Sequence, residues 1–99
     1  MLKGFRTYQL SLDLYRGCQA VKTEPYLKDQ LMRASLSVCL NLSEGSAKPT
    51  PKERRRFYSI AYASCRETQS LIQILSRKEL EPKADALGAC LYRLVHPKP

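Results

Sequence analysis

Residues 50–75 read TPKERRRFYSIAYASCRETQSLIQIL, and the way this stretch starts and repeats decides the fold. Thr50, Pro51 and Glu53 fit the N-cap, first and third positions of an α-helix. A threonine hydroxyl there holds a free backbone N–H, a proline has no N–H to lose, and a glutamate completes a capping box. Phe57, Ile60, Ala61, Ser64, Thr68, Leu71 and Leu75 then recur at helical spacing. They predict an inward stripe on one helix of about 26 residues, on the order of 39 Å long.

Similar rhythms lie on both sides. Leu10, Leu14, Cys18 and Val21 predict a first helix over roughly residues 6–22. Pro25 suits the opening turn of a second, in which Leu27, Leu31, Ala34, Val38 and Leu42 face inward. That helix runs to about Ser43, with Gly45 placed to cap it. SRKELEP (76–82) reads as a turn, and Pro82 opens a fourth helix with Leu87, Leu91, Leu94 and Val95 inward. Short connections favour antiparallel neighbours, so the expected fold is all-α: an antiparallel up-down four-helix bundle, one domain over residues 1–99.

The second helix has a further face. With Leu27 at 0°, Met32, Leu36, Cys39 and Leu40 fall at roughly 120° to 220°, opposite the inward stripe. A helix apolar nearly all round is buried all round. The first helix has a matching strip in Tyr8, Leu12 and Tyr15. Either these faces meet copies of the same chain, or the second helix sits unusually deep in a monomer. A chain of 99 residues buries only a modest core, so a homo-oligomer is the expected state, with Tyr8, Leu12, Tyr15, Met32, Leu36, Cys39 and Leu40 at its interface.

Seventeen Lys and Arg against nine Asp and Glu give a net charge of +8. Such a balance directs attention to acidic partners: nucleic acid, an anionic surface or an acidic protein. Cys18, Cys39, Cys65 and Cys90 are 21, 26 and 25 residues apart, with no CxxC pair. Neither a dense disulfide framework nor the paired ligands of a zinc site fits that spacing. One cysteine per helix suggests small buried hydrophobes in a reducing cytosol. The opening MLKGFRTYQL lacks the apolar core of a signal peptide, and no apolar run is long enough to span a membrane, so a cytoplasmic chain is expected.

The middle of the chain now supports a comparison. QLMRASLSVCLNLSEG (30–45) followed by RRRFYSIAYASCRETQSLI (54–72) resembles the bacterial four-helix bundle family encoded in 23S rRNA intervening sequences. That family runs Q-(I/L)-x-R-A, then N-(I/L)-x-E-G, then a basic R-F-x-x-I-A and a small-residue segment ending in Glu. Gln30, Leu31, Arg33 and Ala34 match the first motif; Asn41, Leu42, Glu44 and Gly45 the second; Arg56, Phe57, Ile60 and Ala61 the third; Ser64 and Glu67 the last. YQLSLDL (8–14) resembles the family's opening helix, and the likeness covers roughly residues 5–75. The segment between Pro25 and Gln30 is shorter than usual, and the last helix matches only as a helix. The resemblance implies a ring-like homopentamer. It also implies kinship with the accessory proteins of diversity-generating retroelements, whose basic pentamer binds nucleic acid and a reverse transcriptase.

On the third helix, Arg55, Tyr62, Arg66, Gln69 and Gln73 lie at roughly 120° to 180° from Phe57, with Lys52 and Ser59 beside them. Lys and Arg can neutralise phosphates, amides can bond phosphates or base edges, and tyrosine can stack on an unpaired base. Lys48, Lys52, Arg54, Arg55, Arg56, Tyr62 and Arg66 are therefore the candidate nucleic-acid contacts, against the plainer reading of a solvated helix face. Cations at 52, 54, 55 and 56 oppose the helix dipole by a few tenths of a kcal/mol each, which favours the anion reading. Asn41, Glu44 and Glu67 read as structural hydrogen-bonding groups at the end of the second helix. His96, the one histidine, reads as a solvated tail residue, and a lone histidine assembles neither a triad nor a metal site. No P-loop, GxGxxG or GxSxG is present. The expectation is a non-enzymatic basic protein with no cofactor and no metal, which binds nucleic acid or serves as an adaptor for a protein such as a reverse transcriptase.

Overall fold

The computed structural model describes residues 2–98, with side chains from Arg6 onward. Four helices appear: α1 (Leu2–Gln19), α2 (Pro25–Ser46), α3 (Pro51–Ile74) and α4 (Glu81–Val95), the last entered through a single 3-10 turn at Lys78–Leu80. The described residues contain no strand. Each helix packs on two neighbours, α4 closing back on α1, and among the described residues the diagonal helices do not pack on each other. Residue pairs fix the directions. Cys39 Sγ donates to the Ser11 carbonyl (3.4 Å), the Ser37 and Ser64 hydroxyls meet at 2.7 Å, and Cys65 Sγ donates to the Ala84 carbonyl (3.7 Å). A second pair at each crossing, Lys28 with Gln19, Ser46 with Tyr58 and Tyr62 with Tyr92, shows rising numbers on one helix meeting falling numbers on the next, as in an up-down bundle. The body measures 41 × 20 × 17 Å.

Leu14, Leu31, Val38, Leu42, Ile72, Leu87 and Leu91 form the deepest core, together with Cys18 and Cys65. Thr7, Ser11, Ser35 and Thr68 are buried among them. The Ser11, Ser35 and Thr68 hydroxyls bond backwards to the Tyr8, Leu31 and Ser64 carbonyls. Small hydroxyl side chains let helices approach closely while satisfying themselves within their own helix.

Several expectations change. α1 covers 2–19, not 6–22, and Val21 is buried in the connection that follows. Gly45 does not cap α2, which continues to Ser46 with Ala47 as its C-cap. An added Cβ at Gly45 would lie 2.9 Å from Phe57 Cβ and 2.9 Å from Tyr58 Cε1, so the glycine serves the close crossing of α2 and α3. The inner stripe of α3 is rotated. Tyr58, Cys65 and Ile72 are buried, whereas Phe57 is half-buried and Ile60 is 44% exposed. α3 packs on both α2 and α4, and its buried arc is centred between them. Cys90 is half-buried, unlike the other three cysteines.

The expected N-cap of α3 forms, Glu53 N–H donating to Thr50 Oγ1 (3.2 Å), but Glu53 Oε1 accepts from the Thr50 hydroxyl (2.9 Å) rather than from the Thr50 backbone N–H of a full capping box. At the far end Ser76 adopts φ 57°, Ser76 N–H reaches the Gln73 carbonyl and Arg77 N–H reaches that of Ile72. This is a Schellman closure with serine where glycine is usual.

Candidate nucleic-acid interface

The antiparallel order brings the start of α1, the α2–α3 connection and the end of α4 to one end of the bundle. Residues 6–12, 38–62 and 88–98 form that half and carry eight Lys or Arg against two Glu. The opposite half, residues 13–37 and 63–87, carries eight Lys or Arg against seven Asp or Glu. The positive charge is therefore polarised along the long axis rather than laid out as a stripe down α3.

The individual cations differ. Lys52, Arg55 and Arg56 are exposed on the first turns of α3 and make no hydrogen bond or ion pair with the described residues. Arg54, expected beside them as a ligand contact, is half-buried and donates through Nη1 to the Lys48 carbonyl (2.8 Å), bracing the α2–α3 connection. Lys48 is also engaged: its Nζ lies 3.3 Å from Glu44 Oε2 and 5.1 Å from the Phe57 ring centroid. Arg66 points along its own helix to Gln69 Oε1 (3.2 Å) in the balanced half. Tyr62 is half-buried and meets Tyr92 of α4 edge to face, centroids 6.0 Å apart. Arg6, Arg93 and Lys98 join the charged end, although nothing local in the sequence marks them, because only the fold brings residues so distant in the chain together.

A second feature lies between α2 and α3. A groove of about 270 Å³ is lined by Gln30, Arg33, Ala34, Ser37, Ser64 and Glu67. Five of these six are motif residues. Asn41 Nδ2 donates to the Ser37 carbonyl (2.9 Å) and hydroxyl (3.2 Å), as a structural amide would. Glu44 Oε2 pairs with Lys48 Nζ on the surface (3.3 Å). Glu67 does not join them at the end of α2. It is exposed midway along α3, at the groove, with no hydrogen bond or ion pair to the described residues.

The expected oligomer face is divided. Cys39 is buried within the chain and so leaves that face, while Tyr8, Leu12, Tyr15 and Met32 are half-buried. Leu36 and Leu40 are 40% and 59% exposed. Of the six large apolar side chains left open among the described residues, Tyr26, Leu36 and Leu40 lie on α2 and Ile60 and Ile74 on α3.

The thiols are quiet. Burial pushes Cys18, Cys39 and Cys65 up, Cys65 to about 12, so each is protonated at neutral pH and a poor nucleophile. Among the described residues no group of three His, Cys, Asp or Glu is placed to hold a metal ion, and no helix is long and apolar enough to cross a membrane.

Fold and surface together define a small four-helix protein whose net positive charge lies at one end. The chain belongs to the 23S rRNA-intervening sequence protein family, whose model matches residues 5–88. The match extends beyond the motifs into α4. No curated protein and no solved structure matches.

Proposed function

We propose that this protein is a non-enzymatic nucleic-acid-binding protein that grips phosphate backbone with the charged end of its bundle. The carrying observation is the polarity of charge, eight cations against two carboxylates at one end, with Lys52, Arg55 and Arg56 unpaired there. Cations set against a helix dipole cost stability, and phosphates relieve that cost. Membership in the 23S rRNA-intervening sequence protein family is compatible with this reading.

The protein acts as a homo-oligomer, a ring of five by family resemblance, through the apolar side chains open on α2 and α3. Several copies would place several charged ends on one ligand, and phosphate neutralisation grows with the number of contacts. Those same open side chains favour a second reading, an adaptor that docks a protein partner such as a reverse transcriptase.

Fluorescence anisotropy of a labelled oligonucleotide, titrated with salt, tests the first reading. Log affinity should fall linearly with log salt, with a slope that flattens by about 0.7 to 0.9 for each cation removed from Lys52, Arg55 and Arg56. Binding that is absent at low salt, or indifferent to these three changes, overturns it. Light scattering tests assembly, and a monomeric mass overturns the ring. Capture of one defined protein that survives nuclease, without oligonucleotide binding, selects the adaptor.

A further inference from the structure

The end of α4 has a feature that phosphate binding alone does not require. Tyr62, Tyr92 and His96 form a continuous run of rings. Tyr62 and Tyr92 meet edge to face at 6.0 Å, and Tyr92 and His96 lie 4.4 Å apart at 45°. Tyr62 is half-buried and packs against the core, while Tyr92 is 51% exposed and His96 is exposed. The run therefore starts from a fixed ring and ends on an accessible one. The backbone supports it, since His96 N–H caps the Tyr92 carbonyl at 2.8 Å.

Cations surround these rings. A cleft of about 550 Å³ is lined by Tyr92, His96, Pro97, Arg93 and Lys98. A second, of about 210 Å³, opens between α4 and α1, where Arg6 and Arg93 line the same walls. Arg93 borders both clefts, and neither Arg6 nor Arg93 has an ion pair among the described residues. Arg93's one hydrogen bond, from Nη2 to Cys90 Sγ at 3.4 Å, is weak. Exposed rings beside unpaired guanidinium groups suit a ligand with flat π faces joined by phosphates. Bases inside a duplex hide those faces, whereas an unpaired strand offers them. Tyr92, Arg93, His96 and Lys98 also lie past the residues that the family model matches.

We infer that the end of α4 is a site for an unpaired nucleotide, in which Tyr92 and His96 stack on the base while Arg93 and Arg6 take the adjoining phosphates. This rests on the proposed binding of nucleic acid and adds to it a preference for single strands. The two fail differently.

The test compares one labelled oligonucleotide, single-stranded and annealed to its complement, on the full chain and on Tyr92→Ala and Tyr92→Phe variants, with circular dichroism to confirm folding. Tyr92→Ala should weaken single-strand binding about 5- to 100-fold, Tyr92→Phe should keep it, and duplex binding should change by less than about 2-fold. Equal effects on both ligands, or none on either, overturn the stacking site while leaving backbone binding by Lys52, Arg55 and Arg56 intact. If no oligonucleotide binds, the charge-based function fails, and a nucleoside monophosphate titrated against the Tyr92 and His96 ring resonances decides the site alone. Saturable shifts that Tyr92→Ala removes support it, and unmoved rings overturn it.

Discussion

Where α1 stops, Lys28 Nζ donates to the carbonyls of Gln19 and Val21, and Arg77 Nη2 donates to that of Lys22 at 2.8 Å. At the other end of the bundle, Lys52, Arg55 and Arg56 stand on the first turns of α3 without partners. A cation at a helix C-terminus satisfies free carbonyls and is favoured by the dipole; one at an N-terminus does neither. Over residues 6–98 both halves carry eight Lys or Arg. What separates them is how many carboxylates surround each cation and whether a backbone carbonyl engages it. Cations of the first kind hold the fold, and those of the second stand without a partner among the described residues.

The sharpest way to break this contrast is to neutralise each set. Changing Lys52, Arg55 and Arg56 to Gln should lower oligonucleotide affinity about 100- to 1000-fold near 0.1 M salt, since each phosphate contact contributes almost a factor of ten there. Changing Lys22, Lys78 and Lys83 should lower it less than about 3-fold, as read by anisotropy. In urea melts the first triple should stay as stable as the parent or gain a few tenths of a kcal/mol per site.

Lys28→Ala should show the reverse, losing about 1–2 kcal/mol in the same melts while binding as before. A further pair separates the ends by packing. At Gly45 an alanine Cβ meets Phe57 Cβ, next to the backbone, so Gly45→Ala should cost about 1–3 kcal/mol. At Gly17 it meets only Leu80 Cδ2, the far end of a side chain that can turn away, and the helical preference for alanine offsets part of the cost. Gly17→Ala should therefore be close to neutral.

Cys65 lies between the two ends and reports on the core they share. Its thiol ionises at about 12 in the fold, against an ordinary 9.0. The raised value favours the folded form only while the thiol stays protonated. Its contribution is complete below pH 9 and is lost from there toward pH 12, by about 1 kcal/mol per pH unit. Urea midpoints measured across that range should fall, and Cys65→Ala should flatten the fall.

Much of this was legible in the chain. The Thr50–Pro51–Glu53 start, the inward leucines and the four helices needed only local chemistry and a 3.6-residue period. The periodicity misplaced Phe57 and Ile60 because hydropathy alone undervalues Tyr58, whose ring is buried while its hydroxyl approaches Ser46 at 3.4 Å. Gly45 resembled a cap because glycine commonly ends helices, and the Phe57 and Tyr58 contacts that require it come from another helix. Arg54 could not be told from Arg55 and Arg56 without knowing where the Lys48 carbonyl would lie. Arg6 and Arg93 were invisible as a pair, since 86 intervening residues must fold before they share a cleft.

The long, narrow body has a kinetic consequence. A particle 41 Å long and about 20 Å across, positive at one tip and near neutral at the other, has an electric moment along its axis. In the field of a polyanion such a body feels a torque as well as a pull, and it turns its positive tip forward before contact. Productive collisions then become a larger share of all collisions, and added salt erodes that advantage by shortening the range over which the rotation can begin.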